Sequence, residues 1–594
     1  MTKTIPIFVL LGVILVNVCA GKETVEVKLK QGLVSGKEHK TFLSGKPYYA
    51  FKGIPYAAPP VGELRFKPPK APQDWGNELL EAYTDKPTCV QFCSRSRNSE
   101  PYGISGSEDC LYVNIFTPNL EGSAAVLVFD FHDNFRTGFN GTKTYAPEFL
   151  PEENVVIVTV SHRLGLLGYL TTEDDVIPPN NGIKDFIFAL KWVKDNIKSF
   201  GGDPNRVTIM GSKGGAVMAN ILLYSEQAKG LFNSVIIQGS SAHEAIFFPR
   251  NPRKSAFQIA ELLNIETDDS TTLLKELQNL DHVKILENEV EVVDDEFYEK
   301  YQMSIHPFGP VIEKEGPEAV LTTLPENGKI VNDVPVLIGF NSREGLDLIS
   351  RYLFNPRSLT DNSQDFFIHF PIRADYRFDR NNSAFEQYKE EVVEFYFKDG
   401  VITYSTLLEY ADYVGDVLQN YAMNAAARKI SSDIKSPTFY YMFDFNGLIN
   451  ENWLYVAKYS RSIPLGNYGA SVADELCYLH LCSRIKRKYV ELKKLVSEQN
   501  EMKVLKKMIR MWANFAKTGN PTPDEKDNVL KNFKWQPIDK DSTDLAYAHI
   551  KKTLNMAVNP LGKRETFWDT TLNKYLQMAV DGVAQKVDVE KDEL

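Results

Sequence analysis

Short apolar runs alternating with amphipathic stretches constrain this chain most. Val126–Phe131 and Val155–Ser161 are β-branched-rich runs that read as buried strands. Asp185–Ile197 places Phe186, Ala189, Leu190 and Val193 at helical spacing. Gly201-Gly202-Asp203-Pro204 reads as a turn, followed by a strand at Val207–Met210 and a helix from about Gly214. Val334–Ile338 and Thr438–Phe443 read as further strands. Strands interleaved with helices predict an α/β fold with a parallel or mixed sheet. The chain is 594 residues, which would ordinarily suggest several domains. Yet no Ser/Gly/Pro-rich linker, long charge block or repeat divides it. The expected organisation is a processing segment at 1–20, one domain at 21–575 and a tail at 576–594.

The two ends predict a compartment. Lys3, the apolar run Ile5–Val16 and the small residues around Val18-Cys19-Ala20 read as a secretory signal peptide cut after Ala20. The run is shorter than the roughly 20 residues a spanning helix needs. The chain ends in Lys591-Asp592-Glu593-Leu594, an address read by the KDEL receptor for return to the endoplasmic reticulum lumen. Asp588, Glu590 and Lys591 suit an accessible tail. Partial secretion is compatible with that address. Nothing after the signal reads as a membrane span, and a formal net charge of -11 argues against nucleic acid or an anionic membrane as partner.

Six cysteines are too few for a disulfide scaffold, and removing Cys19 with the signal leaves an odd number. At least one pair is expected in an oxidising lumen. Asn140-Gly141-Thr142 and Asn381-Asn382-Ser383 are glycosylation sequons.

Longer motifs are more specific. Phe51-Lys52-Gly53-Ile54-Pro55-Tyr56-Ala57 resembles the opening of the type-B carboxylesterase/cholinesterase family, and Glu108-Asp109-Cys110-Leu111-Tyr112-Val113-Asn114 resembles its next block. His162-Arg163-Leu164-Gly165, Phe200-Gly201-Gly202-Asp203-Pro204 and Met511-Trp512-Ala513-Asn514-Phe515-Ala516 continue the resemblance, which runs from about residue 28 to 570. It implies an α/β-hydrolase fold: a large central, mostly parallel sheet flanked by helices. It also implies a disulfide between Cys89 and Cys110.

An esterase of this fold needs a serine on a strained strand-to-helix turn, a histidine to take its proton, an acid to orient that histidine, and amides to hold the oxyanion. The turn frame here is Gly211-Ser212-Lys213-Gly214-Gly215, so the apex is Lys213, and Ser212 falls one residue early. In Gly469-Ala470-Ser471-Val472-Ala473-Asp474-Glu475-Leu476 the histidine position holds Val472. His480, eight residues on, reads as structural. Asn341-Ser342-Arg343-Glu344-Gly345 keeps the acid as Glu344. The oxyanion glycines are lost at Asp133 and Asn134, within Phe131-His132-Asp133-Asn134-Phe135, which leaves the amide of Gly214 as candidate donor. Losing one oxyanion donor costs on the order of a hundred- to a thousandfold in rate, and triad members act as a unit.

Deleting the histidine side chain opens space, so Lys213 is expected to reach across to Glu344 and pair with it. An activated Lys213 amine is the less economical reading, since no partner assembles around it. No H-E-x-x-H, paired C-x-x-C or phosphate-binding glycine loop implies a metal or cofactor. Of the remaining cysteines, Cys93, Cys477 and Cys482, the last two would lie about 7.5 Å apart on a helix, which reads as free buried thiols rather than a bridge.

These residues point to a non-catalytic binding protein of the lumen, and the resemblance includes members that lack the triad and act through protein contacts. Its ligand would be a lumenal protein partner or, if the family's apolar gorge persists, a hydrophobic small molecule. The alternative is a divergent carboxylic ester hydrolase with weak or relocated activity.

Overall fold

The computed structural model describes residues 24–93, 103–138, 141–292, 306–346, 371–379, 381–397, 400, 403–454, 469–523 and 526–585. The expected signal peptide, the sequon at Asn140 and the tail residues Lys591–Leu594 lie outside the described residues.

Among the described residues a fourteen-stranded sheet runs through the chain. Nine of its strands carry the argument: β1 (Tyr112–Thr117), β2 (Ala124–Asp133), β3 (Val155–Val160), β4 (Gly202–Lys213), β5 (Ser234–Gln238), β6 (Val336–Asn341), β7 (Thr438–Phe443), β8 (Ala546–Ile550) and β9 (Leu554–Val558). They lie in the order β1-β3-β2-β4-β5-β6-β7-β8-β9. The block from β3 to β8 is wholly parallel, and antiparallel pairs flank it at both ends. This is the α/β-hydrolase architecture, with a parallel centre and antiparallel edges.

Strand alternation builds two cores. Val126 and Val128 of β2 face one apolar cluster, whereas Ala125, Leu127, Phe129 and Phe131 face the other. Helices α1 (Asn181–Asn196) and α2 (Gly214–Tyr224) bury their apolar faces in the first, and α3 (Asn500–Thr518) packs in the second. Because the parallel strands are covered on both faces, they read as continuous apolar runs rather than alternating ones. Among the described residues no helix is long and apolar enough to cross a membrane.

The packed chain extends past the expected end at 575. Helix α4 (Lys563–Gln577) runs on, and Ala579–Val580 and Val583–Ala584 form a hairpin that pairs with Arg377–Phe378. Ala584 and Tyr575 are fully buried, and that burial holds the segment down.

Cys89 and Cys110 form a disulfide, their Cα atoms 5.0 Å apart. Cys477 and Cys482 also form one, which corrects the expectation of free thiols. The helical spacing does not apply there. A 3₁₀ turn over Asp474–Tyr478 ends and the chain folds back into Leu481–Cys482, bringing the Cα atoms to 5.3 Å, inside bridging range. Asn381, the acceptor of the second sequon, is exposed just before the helix capped by Asn382.

Candidate functional site

Strand β4 and helix α2 meet at Lys213, whose backbone has φ 53° and ψ -123°. That sparsely populated conformation is the strained elbow on which a hydrolase of this fold mounts its nucleophile. The flanking glycines make it possible. A Cβ on Gly211 would lie 1.9 Å from the Gly215 carbonyl oxygen, and one on Gly215 would lie 2.3 Å from that of Asp130. The elbow is therefore fully built, and a lysine stands at its apex. Ser212 is 1% exposed and pairs in the sheet between Phe131 and Gln238. By alternation it shares the face of Met210, in the core that α3 covers.

Around the elbow the usual parts are replaced. Val472 is buried among apolar side chains, and its carbonyl accepts a hydrogen bond from the Asn452 side-chain amide. It offers no proton acceptor. His480 sits elsewhere, stacked on Phe129 at 4.4 Å in the second core, with neither ring nitrogen hydrogen-bonded. Burial alone drives its pKa down to about 3, so it is a neutral core side chain.

The oxyanion segment has become a tight hairpin. Strand β2 runs to Asp133, reverses through Asn134, Phe135 and Arg136, and pairs back through Thr137 and Gly138. Asn134 (φ 48°) and Phe135 (φ 61°) both adopt the left-handed conformation that favours glycine. The Arg136 amide closes the turn on the Asp133 carbonyl at 3.0 Å. The Phe135 amide donates to His132 Nδ1 at 3.2 Å, so that N–H is engaged inside the protein. A Cβ on Gly214 would lie 2.1 Å from His132 Nδ1. The imidazole thus packs against the first residue of α2, beside the one expected donor.

The expected pairing of Lys213 with Glu344 does not form. The ammonium lies 3.6 Å from Asp133 Oδ1. Glu344 Oε1 instead accepts from the Asn341 amide at 2.7 Å and from its side chain at 3.1 Å, while Oε2 is buried without a hydrogen-bond partner. The reason is electrostatic. Burial, followed by the neighbouring Glu475, raises the Glu344 pKa well above its ordinary value, which makes it a poorer partner for an ammonium. Asp133 is about half exposed and can keep its charge at lower desolvation cost.

Glu475 was not foreseen as a site residue. Its Oε2 accepts from the same Asn341 side chain at 2.5 Å, and its Oε1 accepts from Gln238 at 3.3 Å. Burial pushes its pKa up to about 7. Next to it, Asp474 accepts from the amides of Ser471, Asn452 and Trp453, and burial pushes its pKa to about 8. The retained acid is thus one half of a buried carboxyl pair bridged by an asparagine.

A second buried array lies behind the hairpin, where Asp130 stands between His162 at 3.2 Å and His132 at 3.4 Å. Their ligand atoms are close enough to suggest a metal centre. The hydrogen bonds argue otherwise. His132 Nδ1 accepts an amide proton, so its own proton sits on Nε2, which lies 3.4 Å from Asp130 Oδ2 without a hydrogen bond. Burial opposes ionisation of Asp130, but His162 and then His132 hold it well below the usual range, and Asp130 in turn raises His162. The array is a buried carboxyl group flanked by two imidazoles, hydrogen-bonded to His162 at 3.2 Å and in contact with His132. Asp130 and His132, two apart near the end of a strand that is apolar from Ala124 to Phe129, were the signal for it.

The model of the carboxylesterase family matches residues 23–568. Esterase FE4 of Myzus persicae is 32% identical over 535 residues, covering 89% of each chain. The juvenile hormone esterase of Tribolium castaneum is 30% identical, covering 86% of this chain and 85% of its own. Neuroligin-2 of Mus musculus is 26% identical over 88% of this chain and 64% of its own.

Proposed function

Since the chain belongs to the carboxylesterase family, we propose that it is a non-catalytic member acting as a binding protein in the endoplasmic reticulum lumen. The carrying observation is Lys213 at the apex of an intact elbow. An ammonium paired with Asp133 has no lone pair with which to attack an ester carbonyl. Val472 gives no general base, the Phe135 amide is tied to His132, and Ser212 is sealed in the sheet. Each change alone would cripple acyl transfer, and they act on separate steps of it. The aphid and beetle relatives are named as esterases and the mouse one is named a neuroligin, so family membership leaves the choice to the site residues. The lumenal address rests on the expected signal and on Lys591–Leu594.

One expression experiment tests both halves. Cells producing the full chain, or a chain lacking Lys591–Leu594, are fractionated into lysate and medium, and the purified protein is treated with a fluorophosphonate probe. The full chain is expected in the lysate and the truncated chain in the medium. Neither should gain the mass of a phosphonylated serine. Equal retention of both chains would remove the lumenal reading, and an adduct on Ser212 would make the protein an enzyme.

A further inference from the structure

A lysine-lined groove in this acidic chain lies far along the sequence from the elbow. It has a volume of about 1020 Å³ and is bounded by α3, the segment around residues 528–534 and the start of β9. Five lysines line it: Lys503, Lys506, Lys507, Lys531 and Lys534. In a protein of net charge -11, this gathering of like charge has a cost that isolated surface lysines avoid. Lys506 is compensated by Glu498 at 2.5 Å. Lys507 reaches the Lys552 carbonyl at 3.2 Å, and among the described residues no carboxylate lies within ion-pair distance of Lys503, Lys507 or Lys531. The Lys507 pKa is lowered, first by burial and then by Lys531 and Lys503.

The floor is apolar, made by Leu530, Phe533, Leu554 and Met556. Its remaining wall is an open strand. β9 pairs with β8 on one side only and ends the sheet among the described residues. An exposed sheet edge presents unpaired backbone donors and acceptors, to which an extended peptide can add as a new strand. The volume stands at the upper end of the roughly 300–1,000 Å³ of small-molecule sites, so it suits an extended occupant.

We propose that this groove docks an extended acidic peptide segment of a partner protein, which adds to β9 and places its carboxylates against Lys503, Lys507 and Lys531. The lysines supply charge complementarity, the floor takes alternate apolar side chains, and the strand edge supplies register. A sulfated polysaccharide would satisfy the charge but not the strand edge. This inference stands whether or not the elbow is catalytically silent.

Fluorescence anisotropy on the purified mature protein tests it, with a labelled decapeptide of alternating Glu and Val as the probe. Saturable binding is expected, weakening as salt is raised. A Lys503→Gln/Lys507→Gln/Lys531→Gln variant, with an unchanged circular dichroism spectrum and melting temperature, should bind at least about tenfold more weakly. The same peptide N-methylated at alternate residues keeps its charge but cannot pair with a strand, and it should lose most of its binding. Failure of the decapeptide to bind would overturn the proposal. So would equal binding by the methylated peptide, or lysine-dependent binding of a heparin fragment without binding of the peptide.

Discussion

Arg163→Met is expected to cost about 3–5 kcal/mol of folding stability. Arg163 and Asp185 are both buried, and they join the end of β3 to α1. The guanidinium donates through Nε to Oδ2 at 2.7 Å and through Nη2 to Oδ1 at 2.6 Å, and the Arg163 amide adds a third bond to Oδ2 at 3.1 Å. The Arg163 backbone is itself closely packed. Cβ atoms on Gly168 and Gly182 would lie 2.6 and 2.5 Å from the Arg163 carbonyl oxygen. Methionine keeps the length of the chain and removes the charge, so Asp185 is left as a buried carboxylate with one amide partner. Adding Asp185→Leu removes that uncompensated charge, and the double variant should therefore be more stable than Arg163→Met alone. Urea unfolding followed by tryptophan fluorescence measures both. A single variant within about 1 kcal/mol of wild type would show that the pair does not hold these elements together.

Glu475→Gln should change stability in opposite proportion to acidity. Burial raises the Glu475 pKa from 4.5 in the unfolded chain to about 7 in the folded one. Between those values the folded state holds a proton that the unfolded state has released. Stability contributed by this group is therefore fully present below about pH 4.5 and is lost as pH rises towards about 7. The gap corresponds to about 3 kcal/mol. Glutamine can still accept from Asn341 and never ionises. Relative to wild type, the variant should gain about 3 kcal/mol between about pH 5 and pH 8. Comparing variant with wild type cancels the buried histidines, whose depressed pKa values act in the acid direction. Melting temperatures across that range give the answer, and a difference that does not move with pH would mean Glu475 is ionised throughout.

Much of this architecture was legible because it is local. Thr438–Phe443 and the helix start at Gly214 follow from apolar runs and turn residues, and both stand where the pattern put them. The elbow was legible because two glycines four residues apart are forced by a backbone contact below 2 Å. What escaped depends on distant neighbours. The Lys213–Glu344 expectation failed because Glu344 is held on Asn341, which Glu475, far along the chain, also uses, and because burial, followed by Glu475, raises the Glu344 pKa. The Cys477–Cys482 bridge escaped because a 3₁₀ turn, not a helix, joins its ends. The hairpin after Asp133 escaped because Asn134 and Phe135 take positive φ without being glycine, and only the surrounding fold holds them there.

The most direct test of the central claim is turnover of a short-chain nitrophenyl ester by the purified mature protein, run beside Ser212→Ala and Lys213→Ser. The account predicts that the wild-type rate stays at the level of a background protein such as albumin. Lys213→Ser should stay there too, because Val472 leaves the new hydroxyl without a base. Turnover by the wild type that disappears in Ser212→Ala would contradict the account, since it would place an active nucleophile where the structure seals a serine into the sheet.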